Sequence, residues 1–149
     1  MTGLVLLKLV HVVLALFAVG TNLSFPIWVR LAERDDRHLA FTLRAIRFID
    51  RWVTIPAYGL AAISGVALAV SQGVPLTEPW LAIALALFVA VIAVGALLYS
   101  PVSRARLIAA ERGGAADPAY RDQRGRVDAL DLFTVPAVLL ILALMVAKP

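Results

Sequence analysis

Cysteine is absent from the 149 residues, so this chain offers no disulfide framework, no thiolate metal site and no cysteine nucleophile. Its soft donors are two thioethers, Met1 and Met145, too few for a copper pathway. There is no phosphate-binding glycine loop, no H-E-x-x-H zinc motif and no G-x-S-x-G elbow. Charge is scarce as well: Asp, Glu, Lys and Arg make up 16% of the chain and avoid four long stretches almost completely. What fills those stretches is apolar. At 62% hydrophobic, the sequence exceeds the roughly half expected of a soluble domain, so the excess must face something other than water.

Crossing about 30 Å of hydrocarbon takes some 20 apolar residues in a helix. Residues 9–29, 53–71 and 80–100 meet that length, and 132–147 meets it once Ala129 and Leu130 are added beyond Asp131. Uniform apolarity without period-two alternation excludes a barrel, which leaves helices. The expected fold is an all-α, four-span membrane bundle forming one domain over residues 1–149. Lys8 followed by residues 9–19 imitates a signal peptide, but the apolar run continues through Trp28, too long for one.

The net charge of +4 does not indicate nucleic acid, because the basic residues flank apolar runs. Arg30, Arg34, Arg37, Arg44, Arg47 and Arg51 lie in the first connection. Arg104, Arg106, Arg112, Arg121, Arg124 and Arg126 lie in the third, and none lies in residues 72–79. The positive-inside rule places connections one and three in the cytoplasm, where anionic lipid headgroups would attract them, and both termini on the far side.

Two hairpins carry the same punctuation. Ser24-Phe25-Pro26 precedes Thr54-Ile55-Pro56-Ala57, and Ser100-Pro101 precedes Thr134-Val135-Pro136-Ala137. Leu31-Ala32-Glu33-Arg34 finds its counterpart in Ala109-Ala110-Glu111-Arg112. The pattern reads as a duplicated helical pair, about 4–72 and 79–149, related by an axis along the membrane normal. In the first connection Leu39, Leu43, Ile46 and Phe48 predict an amphipathic helix. In the third, Gly113-Gly114 predicts a break, and Asp117-Pro118 an N-cap followed by a proline at the first helical position.

Lys8, His11 and Asn22 share one face of the first span and form its polar intramembrane side. Ionisable groups within a span turn inward and mark function or an interhelical anchor. His11, about 10 Å from the helix start at ~1.5 Å per residue, has the depth of an axial ligand to a b-type haem. Asp50, Thr54 and Pro56, and likewise Asp131, Thr134 and Pro136, read as helix-start elements: the carboxylate suits an N-terminal dipole and proline costs nothing in a first turn. Ala57, Ala61, Gly65 and Ala69, and Ala82, Ala86 and Ala90, recur at every fourth position as packing stripes, either inside the bundle or as a homodimer seam.

Leu7-Lys8-Leu9-Val10-His11, Thr54-Ile55-Pro56-Ala57, Pro79-Trp80-Leu81 and the closing Leu144-Met145-Val146-Ala147-Lys148-Pro149 resemble the small integral membrane proteins grouped as domain of unknown function 2269. That family is distantly similar to the copper-resistance protein D and haem-dependent protoporphyrinogen oxidase membrane families. The resemblance implies a bacterial inner-membrane protein without an assigned activity. The oxidase relatives use a first-helix His, which His11 matches, and a Lys in a later helix, which residues 80–100 lack. Three functional readings follow. The first is a non-enzymatic bundle acting by helix packing, as a homo-oligomer or within a membrane complex. The second is a haem b protein in electron transfer or porphyrin chemistry with His11 as ligand. The third is a small transporter using the Lys8–His11–Asn22 face.

Overall fold

The computed structural model describes residues 2–148, with side chains from Gly3 onward; Met1 and Pro149 lie outside the described residues. Its helices are α1 (Thr2–Ala32), α2 (Asp36–Ile49), α3 (Ile55–Ser71), α4 (Pro79–Val94), α5 (Ser100–Gly113) and α6 (Pro118–Ala147). A π-helical turn, Asp50–Thr54, joins α2 to α3, and another, Gly95–Tyr99, joins α4 to α5. No strand occurs among the described residues, and four helical stretches are long and apolar enough to cross a membrane. The protein is all-α with four candidate spans, the class its apolar runs predict.

The helices outreach the bilayer. Asp36–Ser71 is helical over 36 residues and Pro79–Ala116 over 38. At 1.5 Å per residue each exceeds 50 Å, against about 30 Å of hydrocarbon. Each span therefore continues as a polar helix on the arginine-rich side. The helix-start expectation divides: Thr54 and Pro56 stand at the first turn of α3, which a π turn beginning at Asp50 joins to α2, whereas Asp131, Thr134 and Pro136 lie inside α6, and for them the expectation is corrected. The π turns explain how two of the prolines are tolerated. The N–H groups of Ile55 and Ser100 reach back five residues, to the carbonyls of Asp50 and Gly95. That widens the helix just before Pro56 and Pro101, where a proline ring would otherwise press on the preceding turn. Pro26 and Pro136 are carried without such a turn.

The other stops follow local rules. After α3, Val74 N–H bonds the Ala69 carbonyl at 2.9 Å and Gly73 N–H the Val70 carbonyl at 3.1 Å, with Gly73 at φ +69°. This paired closure needs a left-handed residue, and glycine takes that conformation at least cost. Asp117 caps α6 as its sequence predicts: the carboxylate accepts from Ala119 N–H at 2.7 Å, with Pro118 in the first turn.

The chain forms two compact units. The first comprises α1 up to Ile27 together with Ala45–Glu78; the second comprises Trp28–Arg44 together with α4, α5 and α6. In the first, α1 and α3 bury Ala18, Phe25, Ala57, Ala61, Leu68 and Ala69. In the second, α6 packs along α4 and α5, and Leu81, Ala84, Ala109, Val127, Ala137, Val138 and Ile141 are buried. Outward faces are apolar: Leu16, Ile63, Val89 and Leu132 are each at least 66% exposed, a surface that suits lipid and not water.

Candidate functional site

His11 is half-buried and spends its Nδ1 on α3, 2.9 Å from the Ala61 carbonyl and 3.1 Å from Ser64 Oγ. A carbonyl can only accept, so the bond to Ala61 assigns the ring proton to Nδ1 and leaves Nε2 as the acceptor nitrogen. The Ser64 hydroxyl then donates to the Leu60 carbonyl at 2.8 Å. Gly65 makes the approach possible: a Cβ there would stand 2.9 Å from Cε1 of the ring. Ala57, Ala61 and Ala69 are buried, and the imidazole fills the gap that the fourth member of their series leaves.

Two further polar contacts join the same helices. Thr21 Oγ1 donates to the Phe17 carbonyl at 2.6 Å, so the fully buried Thr54 hydroxyl donates to Thr21 at 3.0 Å. Asn22 is exposed, with its amide nitrogen 3.4 Å from the Tyr58 hydroxyl. Lys8 is exposed and makes no hydrogen bond or ion pair among the described residues. Of the expected polar face, His11 and Asn22 therefore reach α3 and Lys8 does not. Ser64, Thr21 and Tyr58 complete the contact. Ser64 was recognisable only as a polar residue three positions after Ala61, on the small-residue side of its helix.

His11 bears one mark of a metal ligand, an Nδ1–H held by a backbone carbonyl. A bis-histidine haem would need a second imidazole beside it. The other histidine, His38, is exposed in the first connection and sits 3.1 Å from the Asp35 carboxylate. No group of three metal-binding side chains exists among the described residues. Within this chain His11 bonds one helix to another.

On the α4 stripe, Ala82 and Ala86 are exposed and Ala90 is half-exposed, while Leu81 and Ala84 are buried. Their face points away from the interior of the second unit.

That unit holds a cluster the sequence did not reveal. Glu33, just past α1, accepts on Oε1 from the Tyr120 hydroxyl at 2.7 Å and from Arg106 at 3.2 Å, and on Oε2 from Arg124 at 3.1 Å. Arg106 also donates to the Tyr120 oxygen at 2.9 Å and lies 5.0 Å from the ring centroid. Arg106 and Tyr120 are buried, and Arg106 Nε is buried without a hydrogen-bond partner among the described residues. Tyr120 stands in the polar first part of α6, outside the apolar span. Burial, then the hydrogen bond to Glu33, pushes its phenol up to about 12, with Arg106 opposing. The phenol is therefore a donor at any physiological pH.

Nearby, the Asp36 carboxylate accepts from Ala115 N–H at 2.8 Å, and Arg44 lies 3.7 Å from Glu111. These contacts join Asp36 and Arg44 of the first connection to the third. The similar tetrads at 31–34 and 109–112 use their glutamates differently: Glu33 is a nearly buried hub and Glu111 a surface partner.

The sequence model of the family described as "Predicted integral membrane protein (DUF2269)" matches residues 5–149. No curated protein and no solved structure matches the chain.

Proposed function

We propose that this chain, which belongs to the DUF2269 family of predicted integral membrane proteins, works by helix packing: it pairs with a second copy of itself or serves as an accessory subunit of a membrane complex. The outward small-residue face of α4 carries this reading. Ala82 and Ala86 are exposed at helical spacing, whereas Leu81 and Ala84 already serve the interior of their unit. In lipid no hydrophobic force drives helices together, and small side chains are what let backbones approach closely. The polar residues of the first span support the same reading, because His11 and Thr54 spend hydrogen bonds on a neighbouring helix.

The arginine distribution supports an orientation with both arginine-rich connections in the cytoplasm and both termini on the other side, in what the family resemblance implies is a bacterial inner membrane. The matching prolines and Thr-x-Pro-Ala elements support descent from a duplicated helical pair.

Cysteine scanning tests the packing surface in a background free of thiols. Ala86→Cys in native membranes is expected to give a disulfide-linked dimer on oxidation with copper–phenanthroline, or, when its thiol carries a photocrosslinker, an adduct of higher mass if the partner is another protein. Ala84→Cys, on the buried side, is expected to give none. Ala86→Phe should abolish association. A chain that stays monomeric and unadducted at positions 82 and 86 would overturn the proposal.

A further inference from the structure

Among the cavities and charged patches of the second unit, one groove begins where the third apolar run ends. Ser100, Pro101, Arg104, Ala105 and Ile108 line about 340 Å³ of open space on one face of α5. The apolar run ends at Ser100, and Arg104 stands four residues beyond it, about 6 Å along the helix axis. The headgroup layer is about 5–7 Å deep on each side of the hydrocarbon. Below the groove Leu97 and Leu98 are exposed, an apolar path into the bilayer. The π turn Gly95–Tyr99 and Pro101 set the phase of the helix at this point.

The charge at the groove is uncompensated. Arg106, Arg124 and Arg126 each pair with a carboxylate, and Arg44 pairs with Glu111. Arg104 is exposed and has no ion pair among the described residues. The acidic residue of α5, Glu111, lies seven positions further from the membrane and is engaged by Arg44.

We infer that this groove is a binding site for one anionic phospholipid. Arg104 holds the phosphate, the Ser100 hydroxyl lies on the rim, Pro101 takes the glycerol with the acyl chains running past Leu97 and Leu98, and Ala105 and Ile108 line the outer, headgroup end. The inference rests on the membrane reading and not on self-association, so either can fail without the other.

Native mass spectrometry of protein in mild detergent, with added phosphatidylglycerol or phosphatidylcholine, reads lipid and subunit stoichiometry separately. The wild-type chain is expected to retain one phosphatidylglycerol in preference to phosphatidylcholine. Arg104→Gln should weaken that first binding event about five-fold, the weight of one basic residue at an anionic surface. Ile108→Trp, which fills the groove and keeps the charge, should weaken it as much. Arg121→Gln, at an exposed arginine of α6, should leave it unchanged. Equal retention by Arg104→Gln would overturn the site. So would equal loss in Arg121→Gln, which would mean diffuse attraction, or displacement by millimolar inorganic phosphate, which would mean a free-anion site.

Discussion

The Glu33 carboxylate and the Tyr120 hydroxyl, 87 positions apart in the chain, meet at 2.7 Å. The contact ties the end of the first span to the start of the last helix, and Arg106 and Arg124 converge on the same carboxylate. An ionic hub thus holds Glu33 to α5 and α6.

Removing the hub's one anion strands one buried cation, Arg106. Glu33→Gln should destabilise the protein by about 3 kcal/mol, the scale for breaking a buried pair from one side. Glu33→Leu combined with Arg106→Met should cost much less than the sum of the single changes, because no buried charge is then left unpaired. Thermal unfolding in detergent checks both. Additive losses would mean that the two residues do not act as a pair.

Tyr120 adds a pH dependence with a defined sign. Its folded-state pKa is raised, so its contribution is complete below the unfolded value of about 10 and is lost as pH rises toward about 12. The melting temperature should therefore fall between pH 10 and 12, and the fall should be shallower in Tyr120→Phe. Identical slopes in the two proteins would remove Tyr120 from the linkage.

Gly65 and His11 should behave as a coupled pair. Gly65→Ala places a Cβ 2.9 Å from Cε1 of the ring, so the ring must shift and strain or lose its bond to Ala61. A loss of about 1–2 kcal/mol is expected, in the range for overpacking. In the His11→Ala background the same change should cost nothing or stabilise, since alanine forms helix better than glycine and the obstruction is gone. A double-mutant cycle by chemical denaturation in detergent measures the coupling, and a coupling energy of zero would refute the contact.

Much of the fold was legible residue by residue. Gly113-Gly114 and Asp117-Pro118 stop and start helices where their conformational preferences require. Only the second Thr-x-Pro-Ala element misled: Pro136 lies inside α6 with no π turn, whereas a π turn precedes Pro56 at the start of α3. The polar face of the first span was half legible. Helical spacing groups Lys8, His11 and Asn22, but spacing says nothing about which neighbour each will meet.

Apolarity and length are properties of each segment alone, and they determined that this chain spans a membrane four times with its arginines gathered at two bends. The partners of the buried polar groups could not be read in that way. Whether His11 lies over Gly65, and whether Glu33 gathers Arg106, Tyr120 and Arg124, depends on which residues distant in the chain come within about 3 Å, and hydrogen bonds act only at that range. That choice was made by tertiary packing.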